Sequence, residues 1–282
     1  MAEEIKSNTT VKAGWPRGVR LPIVLTFEHQ AGEGAPPAAG DRPNYMVAGT
    51  MEYGARKGIW NILELLEQYR IKATFFVCGT AAERYPDAVR EAERCGHEIA
   101  GMSYKFESVR TASTERERSI VRKTTQVLKD ITGSTIQGWR CPDYRVSPQT
   151  PDILAQEGFA WDSSFLNDDL PYLFDCGGRC LVEIPFTTST ADKTFIGYPH
   201  PQRGGPDGLA NVWGNEFEFL WGESEKSTRF LILSLQTWAT GRPAPLRILR
   251  RFLDSVVERE GIRFARCSDI CKWWLGEGGN HS

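Results

Sequence analysis

Five short segments place acidic, basic, amide or aromatic side chains directly after predicted strands. They are residues 28–30, 102–106, 140–144, 162–169 and 236–238. In a parallel β/α barrel the functional groups stand where strands end and loops begin, at the carboxyl rim. Carboxylate, imidazole, guanidinium and amide groups together can activate water, transfer protons and bind a carbonyl group. The pattern favours an enzyme site on this rim.

Glu28 and His29 are adjacent candidates for proton transfer, and Gln30 follows them. If the strand continued through both residues, their side chains would point to opposite faces, and only one could enter a barrel. We expect the strand to end at Phe27, so that both reach the rim. His29 could also be structural, packing against the next strand or capping the loop.

Arg140 ends another predicted strand, where its guanidinium could bind a substrate carbonyl or carboxylate at two points. It could equally pair with Asp162 as a structural arginine. Glu52 and Arg56 have helical spacing and form either an ion pair or part of the site.

Amide and acidic groups near the later strands are candidates for substrate binding. Gln236 can donate to and accept from an amide-bearing ligand, and Trp238 stands two residues beyond it. Asp168 and Asp169 precede Leu-Pro, and such a sequence is ordinary for a turn. Asp169 is nevertheless a candidate for contact with the substrate.

An α/β fold must position these groups, because short β-rich runs alternate with longer segments of helical period. Strands are predicted at 21–27, 72–79, 96–101, 136–140, 158–162, 181–185, 229–235 and 262–265, and the main helices at 59–69, 85–95, 113–131 and 245–258. The polar loop 31–43 is long enough to be functional. We expect an N-terminal extension at 1–20, one barrel domain at 21–275 and a tail at 276–282.

The strand-end motifs, in this order, resemble the polysaccharide deacetylase superfamily. The family's Thr-Phe-Asp-Asp motif corresponds to Thr26-Phe27-Glu28-His29, and its paired histidines correspond to Met102 and Phe106. Its arginine-proline motif corresponds to Arg140-Cys141-Pro142, and its Asp-Ser-Ser motif to Asp162-Ser163-Ser164. Its Leu-x-His motif corresponds to Leu235-Gln236. The resemblance implies that Glu28 stands at the catalytic aspartate and that the metal-binding histidines and the final histidine are absent.

A branch of that superfamily, containing metal-independent allantoinases and cyclic-imide hydrolases, is more similar still. The similarity lies in the segments 51–56, 167–172 and 241–243. It implies a deformed seven-stranded barrel, a homo-oligomer and hydrolysis of a cyclic C–N bond without metal.

Metal chemistry is disfavoured on independent grounds. Zinc needs nitrogen, oxygen or sulfur donors that converge at about 2.0–2.3 Å. Phe106 offers none, and the Met102 thioether suits copper(I) better than a hydrolytic metal. We therefore expect no cofactor.

Apolar residues near the rim suggest a class of substrate. Met102 and Phe106, with Trp139 and Trp238 on neighbouring strand ends, would make a pocket floor too apolar for sugars. We expect a small cyclic amide with an apolar portion. The alternative is that these side chains belong to the core.

Composition excludes several other classes. The 34 basic and 36 acidic residues give a net charge of −2 without a long run of one sign, which disfavours nucleic-acid or membrane partners. The N-terminus lacks a secretory pattern, and seven cysteines suit reduced thiols. We expect a cytoplasmic protein.

The predicted function is hydrolysis of a C–N bond in a cyclic imide, ureide or related amide, with Glu28 as general base and His29 as proton shuttle. One alternative is a lyase, isomerase or cyclase that uses the same residues for proton transfer. Another is a non-catalytic member of the fold that binds a small molecule.

Overall fold

Nine strands form one curled sheet among residues 14–35, 44–197 and 204–277, the parts of the chain that the computed structural model describes. They are β1 Leu21–His29, β2 Thr74–Val77, β3 Glu98–Gly101, β4 Gly138–Trp139, β5 Trp161–Asp162, β6 Tyr172–Asp175, β7 Cys180–Glu183, β8 Leu231–Gln236 and β9 Ile262–Ala265. The path runs β6-β7-β5-β4-β3-β2-β1-β8, with β9 added to β1. The predicted α/β barrel is confirmed as a half-barrel.

The sheet is larger than the seven strands that the family resemblance implied. Strand β6 pairs antiparallel with β7, while all the other pairs are parallel. Gly177 and Gly178 have positive φ angles, which a tight turn between β6 and β7 needs. Strand β9 pairs with the first half of β1 and β2 with the second half.

Eleven α-helices surround the sheet in the described residues. They are α1 Tyr45–Tyr53, α2 Ile59–Gln68, α3 Gly79–Arg84, α4 Pro86–Arg94, α5 Thr114–Thr132, α6 Thr150–Gln156, α7 Lys193–Ile196, α8 Gly205–Glu223, α9 Thr237–Thr240, α10 Pro243–Val256 and α11 Cys267–Trp274. A π-helical turn, Gly54–Gly58, joins α1 to α2, and a 3₁₀ turn, Pro142–Tyr144, follows β4. None of these helices is both long and apolar enough to cross a bilayer.

Two hydrophobic layers lie on the two faces of the sheet. Alternate residues of β1, such as Leu25 and Phe27, pack with the surrounding helices in the outer layer. The inner layer contains Val24 of β1 and Phe76 of β2, and α11 contributes Trp274 to it. Even-numbered residues of β1 therefore face the interior of the half-barrel, which sets the direction of Glu28.

The chain between β7 and β8 includes a loop that lies against β8, one end strand of the sheet. The Thr190 hydroxyl donates to the carbonyl of Ile232 at 3.4 Å, and the amide of Asp192 donates to the carbonyl of Ser234 at 3.3 Å. The indole of Trp213 in α8 donates to the Thr190 carbonyl at 2.8 Å. This bridging loop, residues 190–192, runs beside β8 without belonging to the sheet.

Candidate active site

A buried polar cluster occupies the inner face of the sheet at the carboxyl ends of β1, β4 and β8. Its members are each at most 2 % exposed: Thr26, Glu28, Arg140, Ser234 and Gln236. The cluster forms because alternate residues of a strand share a face and because Glu28 is in register with Gln236 on β8. The predicted residues Glu28, Arg140 and Gln236 are therefore brought together.

Arg140 is fixed by the protein itself. Its Nε donates to the Ser163 carbonyl at 2.8 Å, and its Nη2 donates to the Ser163 hydroxyl at 2.8 Å. Its Nη1 donates to the hydroxyls of Thr26 at 3.1 Å and Ser234 at 3.2 Å. The acidic partner of Nη1 is Glu28, at 3.7 Å, and not Asp162, the partner in the structural alternative that the sequence left open. With its donors so occupied, Arg140 holds the charge of Glu28 in place.

The two carboxylate oxygens of Glu28 have different surroundings. Oε2 accepts a hydrogen bond from Nε2 of Gln236 at 2.5 Å, and Oε1 of Gln236 in turn accepts from the indole of Trp238 at 3.2 Å. Oε1 of Glu28 has no hydrogen-bond partner within the described part of the chain. One oxygen is thus held by Gln236, and the other makes no hydrogen bond but lies 3.7 Å from Nη1 of Arg140.

His29 lies on the opposite side of β1 from Glu28. The expectation that β1 ends at Phe27 is wrong, because the strand continues through His29, which pairs with Val77. Its Nδ1 is 3.3 Å from the hydroxyl of Thr237, and its Nε2 lacks a partner among the residues described. Burial lowers its pKa to about 4, so the ring is neutral at neutral pH.

Three further carboxyl groups are buried near the cluster. Asp192 accepts through Oδ2 from the amide of Gln236 at 2.8 Å and from the hydroxyl of Thr240 at 2.7 Å. Burial raises its pKa to about 7. Asp162 and Glu183 are in register on β5 and β7, and burial raises the pKa of both, to about 6 for Asp162. Two buried carboxyl groups so close together favour sharing one proton.

Three residues near Glu28 were not predicted. Lys193 begins α7, and its Nζ is 3.2 Å from Oδ1 of Asp143 and 4.5 Å from the ring centroid of Tyr144. Asp143 and Tyr144 lay within a segment singled out at a strand end, but Lys193 follows a loop. Only the fold brings Lys193 to the rim.

The positions of the family's paired histidines do not form a metal site. Met102 is fully buried in the inner core, and Phe106 packs against that core with a left-handed φ of 60°. Across residues 14–35, 44–197 and 204–277, no three histidine, cysteine, aspartate or glutamate side chains are grouped to hold an ion. The residues present therefore do not fit the metal that the fold family implies.

Trp139 and Trp238 do not share one surface. Trp139 packs in the outer layer, with its ring centroid 5.7 Å from that of Phe159. It precedes Arg140, which points inward, so the two side chains must diverge. Trp238 packs with Val47 and Met51 of α1. The predicted apolar floor is therefore not assembled from these two tryptophans together.

The remaining predicted contacts are dispersed. Glu52 accepts hydrogen bonds from the Tyr85 hydroxyl and from Arg84 at 3.3 Å. Arg56 is exposed and makes no ion pair with Glu52, because the π-helical turn changes their spacing. Gln30 is 4 % exposed beside the rim.

Asp169 lines a separate surface cleft between the β5–β6 connection and α8, whose volume is about 810 Å³. Its neighbours there include Glu216, whose pKa is raised by burial and by the charge of Asp169. Part of the predicted functional loop, residues 36–43, lies outside the described residues.

Comparisons with known proteins find similarity to polysaccharide and peptidoglycan deacetylases. The model of the polysaccharide deacetylase family matches residues 39–161. The chain is 22 % identical to a peptidoglycan deacetylase of Helicobacter pylori over 252 residues, which is 79 % of this chain and 85 % of the relative.

Solved structures extend the similarity to almost the whole chain. The structure of Puue allantoinase has 28 % identity and a TM-score of 0.85, covering 95 % of this chain and 93 % of its own. A structure described as a putative polysaccharide deacetylase from Mycobacterium smegmatis has 26 % identity and a TM-score of 0.82, with coverages of 95 % and 97 %.

Proposed function

This chain belongs to the polysaccharide deacetylase superfamily, and we propose that it hydrolyses a C–N bond in a cyclic imide, ureide or related small amide without a metal. The observation that carries the proposal is the buried Glu28 carboxylate, with Oε2 bonded to Gln236 at 2.5 Å and Arg140 3.7 Å from Oε1. The similarity to Puue allantoinase supports a ring substrate.

In this mechanism Glu28 is the general base. Its Oε1 takes a proton from a water molecule, whose oxygen attacks the carbonyl carbon of the ring. The tetrahedral adduct then expels the ring nitrogen, which receives the proton from Glu28. Arg140 acts as a positioning residue that keeps the carboxylate in place, because its own donors bind Ser163, Thr26 and Ser234.

His29 has the role of proton shuttle in the proposal. Its ring is neutral, and its Nε2 has no hydrogen-bond partner within the described ranges. Thr237 lies between the ring and the main chain of Glu28, because its hydroxyl donates to the Glu28 main-chain carbonyl at 3.2 Å and is 3.3 Å from Nδ1 of His29.

Substrate binding is assigned to polar groups at the rim and to the apolar side chains beside them. Gln30 and Gln236 can both donate to and accept from an imide. Phe106 and Trp238, which are not fully buried, supply apolar surface for the ring, whereas Met102 lies in the core behind them. This combination suits a small cyclic amide better than a chain of sugars.

Glu28→Gln tests the proposal on a panel of cyclic imides and allantoin in labelled water. We expect the variant to lose at least about a hundredfold in kcat, because it cannot accept a proton. His29→Gln should also lose activity, and the product should contain one labelled oxygen per ring opened.

Glu117→Gln is the matched control, because Glu117 is also 1 % exposed but bonds to Ser147 and Thr150 beside α5. It should retain activity in proportion to the folded protein. Better turnover of chito-oligosaccharides than of every cyclic compound would reject the proposal.

A cytoplasmic location, homo-oligomeric assembly and the absence of a nucleic-acid partner stay predictions from the sequence. Sizing by light scattering tests the assembly.

A further inference from the structure

Lys193 presents a cation at the rim of the half-barrel. Its side chain is 27 % exposed, and Asp143 is its ion-pair partner at 3.2 Å. The adjacent Asp192 fixes the start of α7 to the end of β8 through the amide of Gln236. Because Gln236 also bonds to Glu28, one chain of contacts positions both the acid and the cation.

Tyr144 presents a hydroxyl that the described residues leave without a partner, although its oxygen is buried. Its ring packs edge-on against Phe186, with centroids 4.6 Å apart, and Phe186 in turn contacts the guanidinium of Arg140. A buried phenol normally finds a hydrogen-bond partner. This unused donor is therefore available to a ligand.

The backbone that presents these groups is strained. Asp143 and Tyr144 have consecutive positive φ angles of 48° and 61°. Residues other than glycine adopt this conformation at a cost, and such strain is concentrated at functional sites. Here it directs the Asp143 carboxylate and the Tyr144 ring to Lys193.

The protonation states suit a pair of donors. Burial opposes the charge of Lys193, but the negative charges of Glu28 and Asp143 and its contacts with Tyr144 raise its pKa above the ordinary value. Burial, followed by the charge of Glu28, raises the pKa of Tyr144. At neutral pH the lysine is cationic and the phenol keeps its proton.

We propose that Lys193 and Tyr144 bind the carbonyl oxygen of the substrate and stabilise the oxyanion that forms on it. The assignment rests on the proposed function. When water attacks the carbonyl carbon, the carbonyl electron pair moves to this oxygen and the water proton moves to Glu28. The ammonium and phenol N–H and O–H groups donate to the charged oxygen without losing their protons. When the adduct collapses, the carbonyl re-forms and the C–N bond breaks. The two residues thus stabilise the negative charge that develops on the carbonyl oxygen.

Lys193→Met, Lys193→Arg and Tyr144→Phe test the assignment with two measurements. The first is kcat and KM on the cyclic imide that wild-type protein opens best. The second is calorimetric affinity for methylphosphonate, a tetrahedral anion that resembles the adduct and needs no turnover. Lys123 is a matched control, because it is also a lysine beside a tyrosine ring, 3.7 Å from Tyr104, and it is exposed on α5.

We expect Lys193→Met to lower kcat by about a hundredfold and to weaken methylphosphonate binding by about tenfold. Tyr144→Phe should lower kcat with little change in KM, and Lys193→Arg should recover much of the binding. Lys123→Met should match wild-type protein in both measurements.

The two proposals fail in different ways. If no ring is opened but methylphosphonate binding depends on Lys193, the hydrolase proposal falls and the anion site stands. If Lys193→Met opens rings at the wild-type rate, the hydrolase stands and the assignment of Lys193 is overturned. Wild-type affinity for methylphosphonate no better than that of Lys193→Met overturns the assignment in either case.

Discussion

Asp192 shows how a single buried carboxyl group makes the fold sensitive to pH. Its ordinary pKa of 3.8 is raised to about 7 by burial. Between about pH 4 and pH 7 the folded protein keeps a proton that the unfolded chain releases. The contribution of this group to the free energy of unfolding therefore falls as the pH rises through that window, and it is constant above pH 7.

Asp192→Asn should remove this pH dependence. Asparagine still accepts from Gln236 and Thr240, but it carries no charge to bury. We expect the free energy of unfolding of the variant, relative to wild-type protein, to rise by roughly 2–3 kcal/mol between pH 5 and pH 8. Urea unfolding at both pH values measures it.

The control for this measurement is Asp87→Asn, because the Asp87 side chain is 86 % exposed. Its difference from wild-type protein should stay nearly constant with pH. Parallel pH profiles for wild-type protein and Asp192→Asn would show that the Asp192 carboxyl is not buried in its neutral form.

Sequence reasoning placed some residues of the site and missed others for identifiable reasons. Glu28 lies at the rim as its strand-end position predicted, although its inward direction follows from strand alternation, which the sequence analysis set aside. His29 was misplaced because β1 is two residues longer than predicted. Lys193 had no local signal, since it follows a loop, and only the fold brings it beside Asp143 and Tyr144.

Strand β4 has only two residues, and Arg140 follows it directly. Its first residue, Gly138, lies against the indole of Trp161. A Cβ atom added at Gly138 would be 1.8 Å from that ring, which is rigid and buried. The absence of a side chain at Gly138 is therefore necessary for the packing of β4 on β5.

Gly138→Ala should destabilise the protein by about 2 kcal/mol or more, because the strand or Trp161 must move. Gly214→Ala makes the same chemical change inside α8, where an added Cβ meets no atom within 4 Å. It should stabilise the protein by about 0.5–1 kcal/mol, because alanine favours a helix. Denaturant unfolding compares the two, and shifts of the same sign would contradict the packing described for β4.

Helices with clear sequence signals at their ends were predicted, and a helix without them was missed. Helix α5 was expected at 113–131 and occupies Thr114–Thr132, because Ser113 caps its start and Gly133 ends it with a φ of 73°. Helix α8 was not predicted, although it has 19 residues. Its glycines at 205, 208, 214 and 222 weaken the helical signal, and its packing against α10 and β8 overrides that weakness.

For the whole molecule, the donor groups present predict hydrolysis without a bound ion. Protein purified without chelator should contain less than about 0.1 equivalent of zinc, cobalt, nickel, manganese or iron per chain, because Met102 and Phe106 supply no suitable ligands. Ring opening should be unchanged after treatment with chelator. Mass spectrometry for metals measures the content, and a zinc hydrolase treated in parallel controls for the chelator. About one ion per chain, with activity lost on chelation, would contradict the proposal.

The bridging loop 190–192 contributes to the half-barrel without belonging to its sheet. Strand pairing fixes the spacing from β6 round to β8, whereas Thr190 and Asp192 are joined to β8 by individual hydrogen bonds outside that pairing. Loops accept insertions and substitutions that strands do not. Residues 190 and 191 can therefore vary without disturbing the strand pairing that places Glu28 beside Gln236, whereas Asp192 is tied to that pair through the amide of Gln236.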